Sequence, residues 1–110
     1  MSGLQNRFPS EVFEWWTGFY TCVMCGKSHA NALHHIISPV SNDYIKGDHN
    51  RSIYNSAPVN NEDCHLYLPL HNFKKQKELL LKVKGILDRA NYKPNERDIK
   101  FLKVYAKYYD

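Results

Sequence analysis

Cys22-Val23-Met24-Cys25, then Ala32-Leu33-His34-His35-Ile36-Ile37, then Asn55, and last Cys64-His65 and His71 mark out the stretch on which the fold turns. All three cysteines and all six histidines lie between Cys22 and His71, in less than half of the chain. Random scatter rarely gathers every thiol and imidazole into one segment, so the chemistry is expected here. Three cysteines is an odd number, and Cys22 and Cys25 stand too close together to favour a bond to one another. Metal ligation is the better reading of them.

Around these residues the local signals alternate quickly. Cys-x-x-Cys followed by Gly26-Lys27 reads as a tight turn between short extended pieces, a zinc-knuckle pattern with Gly26 letting the backbone fold back. Ala32 to Ile37 reads as an apolar-flanked strand, and Pro39 to Asn50, rich in Ser, Asn, Asp and Gly, as a loop. A second short strand is expected to begin at Ser52-Ile53-Tyr54 and to end near Pro58. Asn60 or Asn61 can then cap a short helix, Glu62 to Tyr67, which Pro69 interrupts.

Outside this stretch the pattern is helical. Ser10 is placed to cap a short helix through Trp16, with Glu11 and Glu14 near its positive end and Gly18 ending it. Phe13, Trp15, Trp16, Phe19 and Tyr20 suit core or covering positions, although aromatic rings also stack on bases. From Phe73 to Ala90, the residues Leu79, Leu80, Val83, Ile86, Leu87 and Ala90 fall on one face. Asn91-Tyr92-Lys93-Pro94 breaks that helix, and Asn95 caps a last one with Glu96 and Asp98 in its first turn. Its expected apolar stripe is Ile99, Leu102, Tyr105/Ala106 and Tyr109, and the two helices are expected to form a hairpin.

At 110 residues the chain reads as one domain, 1–110, with a modest core that a metal staple would help. No apolar run approaches the ~20 residues of a membrane-spanning helix. Met1 to Ser10 lacks the charged-then-apolar layout of a signal peptide, so an intracellular, cytoplasmic protein with reduced thiols and no membrane partner is expected. The net charge of +4 is unevenly placed: eleven of the fifteen Lys and Arg lie from Lys74 onward, against five acidic residues there. A basic half suits a polyanion such as nucleic acid, and it equally suits a solvated helix face.

Adjacent histidines on a strand point to opposite faces, so His34 and His35 are expected to do different jobs, unless a turn lets both converge. The plain alternative is one buried, hydrogen-bonded ring and one exposed ring. Taken in order, His-His-Ile, a polar loop, a strand with Asn55, and a helix carrying Cys64-His65 resemble the HNH endonuclease family, in its zinc-knuckle branch. The resemblance covers residues 20–72, with His35, Asn55 and His65 as the H, N and H. It implies an α+β fold, a small ββα-metal finger with a zinc knuckle, followed here by a basic C-terminal helical hairpin over 73–110.

It further implies hydrolysis of DNA phosphodiester bonds, on duplex or branched DNA, with one catalytic divalent ion: magnesium, manganese, nickel or zinc. By carry-over, His34 and His65 ligate that ion, His35 is the general base, and Asn55 holds the loop and orients His35. A structural zinc is implied on Cys22, Cys25 and Cys64. The family's second Cys-x-x-Cys is incomplete, because Asn61 stands where its first cysteine would be, and His29 is the nearest substitute ligand. His49 and His71 are left as candidates for a phosphate contact or the metal sphere. Lys74, Lys75 and Lys77 directly follow the finger and suit flanking phosphates. Small phage and mobile-element proteins of this family are often recombination, packaging or restriction nucleases. The competing readings are a non-catalytic zinc-stapled nucleic-acid-binding module and a helical interaction protein with a metal staple.

Overall fold

The computed structural model of the protein describes residues 8–16, 21–26, 30, 32–60 and 72–110. Among these the architecture is α+β: a two-stranded antiparallel sheet with three α-helices and short 3-10 turns. Helix α1 (Ser10–Trp16) buries Val12 and Trp16, one turn apart on the same face. Strand β1 (Ala32–His35) pairs with β2 (Ser56–Val59), in the register Ala32↔Val59, Leu33↔Pro58, His34↔Ala57 and His35↔Ser56. Phe19, Tyr20, and the helix expected at Glu62 to Tyr67 lie outside the described residues. No helix among the described residues is long and apolar enough to cross a membrane.

Both strands depart from the expected bounds. β1 stops at His35 because Asn55 takes over the backbone of the next two residues. The Ile36 amide donates to Asn55 O at 2.9 Å, and both main-chain groups of Ile37 bond the Asn55 side chain. Ile53 and Tyr54, expected near the start of the second strand, instead lie in a 3-10 turn, Ile53–Asn55, which follows another, Asp48–Arg51, at the end of the expected loop. Ser52 decides this locally: its Oγ accepts from the Tyr54 amide at 3.1 Å, capping the second turn and delaying β2 to Ser56.

Helix α2 (Phe73–Arg89) starts on Asn72, whose side chain accepts from the Lys75 amide at 2.9 Å. It buries Gln76, Leu79, Leu80, Val83 and Leu87. At its end Asn91 adopts φ 58°, its amide donates to Asp88 O, and the Tyr92 amide donates to Leu87 O. This is a Schellman termination, with Asn in the left-handed position usually held by Gly. Ala90, expected on the buried face, is exposed past this end.

Helix α3 (Glu96–Val104) starts on a reciprocal capping box between Asn95 and Asp98. Of the expected stripe, Tyr105 is buried and Leu102 and Tyr109 are half-buried against the core, but the most buried face is shifted. Asp98, Phe101, Tyr105 and Tyr108 point inward, while Ile99 is 44% exposed and Ala106 is exposed. The cause is the Asp98 carboxylate, which accepts from Ser52 Oγ at 2.6 Å, Tyr92 Oη at 2.5 Å and the Asn95 amide at 3.1 Å. Satisfying that carboxylate inside the protein rotates the helix by about one residue, and the aromatic rings follow it inward. α3 finds its principal contacts on the 48–55 turns, whereas α2 packs first against the 3-10 tail Ala106–Tyr109 and then against the Ile53–Asn55 turn. The two helices therefore join through a shared core of Tyr54, Leu80, Leu87, Phe101, Tyr105 and Tyr108 more than along each other.

Candidate active site

Strand β1 presents His34 and His35 as neighbours, and alternation sends their rings to opposite faces. Both are half-buried, so the division into one buried and one exposed ring does not hold. Directly paired residues share a face, which puts His35 beside Ser56 and His34 beside Ala57. On the His35 face, Ser56 Oγ donates to Ile53 O at 2.6 Å and accepts from Trp16 Nε1 at 2.7 Å. Phe8 stacks on the His35 ring, with centroids 4.1 Å apart and planes 16° from parallel. The ring is thus clamped by one aromatic face, and its Nε2 is shielded from solvent.

Asn55 is fully buried and closes the loop that begins after His35. Its Oδ1 accepts from the Ile37 amide at 2.8 Å; its Nδ2 donates to Ile37 O at 2.9 Å and to Asn50 O at 3.0 Å. Residues 18 positions apart in sequence are in this way fixed at one point, immediately beyond the histidine pair. Asn50 carries the network onward, donating to Ile45 O at 2.8 Å and accepting from Tyr105 Oη at 2.7 Å.

The C-terminal elements hold the rest of the loop. Tyr108 Oη donates to Asp43 at 2.9 Å and Lys107 pairs with the same carboxylate at 2.8 Å. The Lys107 and then the Tyr108 hydrogen bonds keep Asp43 below the usual carboxylate range. Arg97 bonds Asp48 at 2.8 Å and reaches Glu11 at 3.4 Å, tying α3 to the loop and to α1; its hydrogen bond lowers the Asp48 pKa. Burial pushes the Tyr54 phenol up to about 12, and raises Tyr92, Tyr105 and Tyr108 as well, so these hydroxyls remain available as donors.

His49 lies inside this loop, 3% exposed, tilted against Tyr105 with ring centroids 5.7 Å apart. A side chain on Gly47, where φ is 154°, would come within 2.6 Å of the imidazole, so only glycine fits over it. Burial, and after it the charge of Lys100, push the His49 pKa down. The imidazole, whose neutral form burial favours, lines a cavity with Asp48, Asn95, Glu96, Arg97 and Lys100.

The Cys-x-x-Cys segment forms the expected turn. The Gly26 amide donates to Cys22 O at 2.8 Å, and Gly26 takes φ 70°. Cys22 is buried and Cys25 exposed on that turn. Two hydrogen bonds anchor it: the Val23 amide to Pro58 O at 2.9 Å on β2, and Lys82 Nζ to Val23 O at 2.5 Å from α2. Its chemistry fits the two-thiolate half of a tetrahedral zinc site. The other expected ligands, Cys64 and His29, lie outside the described residues, as do His65 and His71. Among the described residues no three His, Cys, Asp or Glu side chains converge on a metal position.

Lys74 and Lys75 are exposed on the first turn of α2, and Lys77 is half-buried there. Between them Gln76 turns inward, which the sequence reading missed. Its signal is a polar residue at i−3 and i−4 from Leu79 and Leu80, in register with the buried stripe. Compared with protein-family models, curated proteins and solved structures, the chain matches none.

Proposed function

We propose that this chain is a metal-dependent HNH-type endonuclease acting on DNA. The observation that carries the reading is the junction after β1: Asn55 binds the main chain of Ile36 and Ile37, the two residues that follow His35. The histidine pair ends β1, and Asn55, in the 3-10 turn just before β2, bonds the two residues that follow it, which supports the order of residues in the family resemblance. The turn of Cys22 and Cys25, anchored on β2, supports a zinc-bearing branch, with Cys64 and His29 as the remaining ligands.

In this reading His35 takes the proton from the attacking water, whose oxygen bonds to phosphorus as the bond to the 3′ oxygen breaks. The products are a 5′-phosphate and a 3′-hydroxyl, the latter protonated from solvent. Imidazole suits the role because its pKa lies near working pH. His34 and His65 would hold a divalent ion, which supplies Lewis-acid stabilisation of charge on the phosphoryl and leaving oxygens. Lys74, Lys75 and Lys77 would contact flanking phosphates.

A plasmid-cleavage assay across magnesium, manganese, nickel and zinc tests the reading. His35→Ala should lower cleavage by the ~10²–10⁴-fold typical of general-base loss while DNA binding stays nearly unchanged. A His35→Ala protein that cuts at the wild-type rate removes the assignment. Bound zinc and DNA affinity with no cleavage under any ion would establish the non-catalytic binding module instead.

A further inference from the structure

We infer that Gln76 is a positioning residue for His35, and that the first turn of α2 couples the grip on a nucleic-acid backbone to the end of β1. The inference rests on the nuclease reading above for its catalytic content. Gln76 is 2% exposed, although Lys74 and Lys75 beside it are exposed. An apolar side chain would fill that core position without desolvating a carboxamide, so the polar choice needs a partner. Its Nε2 donates to Ser41 Oγ at 3.0 Å and, more loosely, to Ile36 O at 3.4 Å.

Those two acceptors belong to one small assembly. Ser41 Oγ also accepts from the Ser38 amide at 3.1 Å. Asn55 binds the Ile36 amide and both main-chain groups of Ile37. Through residues 36–38, therefore, one wall of contacts comes from Asn55 and the other from Gln76 with Ser41. The Ile36 carbonyl is one peptide beyond His35, so its direction constrains the plane on which the His35 side chain is carried. Asn55 belongs to the same chain segment as the loop, whereas Gln76 arrives from α2. It sits between Lys75 and Lys77 on a rigid turn. Phosphates drawn to those lysines would press on the turn that holds Ile36, which places the scissile bond relative to His35.

The test uses the full-length protein as wild type, Gln76→Leu, Gln76→Glu and a Lys74/Lys75/Lys77→Gln triple variant. It reads kcat and KM on plasmid or short duplex DNA, and the His35 imidazole resonances by NMR. Leu is apolar, similar in volume and a good helix former, so this variant should fold. Gln76→Leu should lower kcat by roughly 10- to 100-fold, as expected for a misplaced group, with KM within about twofold. Its His35 resonances should shift, while those of His49 stay in place. Gln76→Glu should be worse at neutral pH, since a carboxylate faces the Ile36 carbonyl, and its kcat relative to wild type at the same pH should rise as acid protonates that carboxylate. The triple lysine variant should instead raise KM and flatten its salt dependence. Short duplex DNA added without a divalent ion should move the His35 resonances of wild type and not those of Gln76→Leu. Unchanged kcat and unchanged His35 resonances in Gln76→Leu overturn the positioning role, whatever the lysines do. A wild type that cuts nothing under any ion overturns the nuclease reading by itself, and the His35 resonances of Gln76→Leu still decide the contact.

Discussion

Removing the Asn55 side chain is the most informative single perturbation of the fold. Asn55→Ala deletes three hydrogen bonds at a fully buried position and leaves the Ile37 amide, Ile37 carbonyl and Asn50 carbonyl without those partners. A buried polar group stripped of its partner costs about 1–3 kcal/mol, with carbonyls toward the lower end. The sum is about 3–6 kcal/mol, to be set against a total of about 5–15 kcal/mol for a domain. Urea unfolding followed by tryptophan fluorescence measures it, since Trp16 is bonded to Ser56 beside Asn55. With a slope of about 1–3 kcal/mol/M, the midpoint should fall by roughly 1 M or more. Asn55→Asp keeps the acceptor for the Ile37 amide but turns an oxygen toward two carbonyls. It should be at least as unstable at pH 7 and regain part of the loss as acid protonates it. A midpoint that moves by less than about 0.5 M at an unchanged slope for Asn55→Ala would refute the staple. The 36–55 loop would then be held by the C-terminal elements alone.

Three further outcomes are expected. Asp98→Leu should destabilise by about 2 kcal/mol or more, because Ser52 Oγ, Tyr92 Oη and the Asn95 amide all lose their acceptor; equal thermal midpoints for variant and wild type would contradict the cause given for the helix rotation. Cys25→Ser should release about one zinc per chain and lower thermal stability, since metal binding adds to folding free energy; metal analysis of both proteins checks this, and unchanged zinc removes the cysteine from the site. His49 gives a pH dependence whose sign follows from burial. Its native pKa lies below the 6.5 of an unfolded chain, so the unfolded state binds more protons in between. The His49 contribution is therefore complete above pH 6.5 and is lost as pH falls from there toward the lowered native value. His49→Leu should flatten that part of a stability–pH curve, and an unaltered slope would count against the buried neutral imidazole.

Where a signal is local, the chain states it openly. Asn72 and Asn95 cap their helices from one turn away, and α2 ends where the Asn91 amide bonds Asp88 O and the Tyr92 amide bonds Leu87 O. The Cys-x-x-Cys turn with Gly26 at positive φ and the leucine stripe of α2 belong to the same class. In each, the decisive partners stand within a few residues or repeat at a fixed period, so composition and spacing suffice.

Tertiary structure alone decided the rest, because the partners are remote and polar. Ser52 and Asp98 are 46 positions apart, and their hydrogen bond turns α3 away from the face that Ile99 and Leu102 would select. Asn55 reaches back to Ile37 to end β1, and Gln76 reaches 35 and 40 positions back to Ser41 and Ile36. Hydrophobic periodicity scores a buried Asp or Gln as a surface residue, since burial of such a group becomes favourable only when its acceptors or donors are already in place. The sequence by itself therefore determined which segments become helix, turn and paired strand. The three-dimensional meeting of distant polar groups decided which faces they bury and how the segment beyond His35 is held.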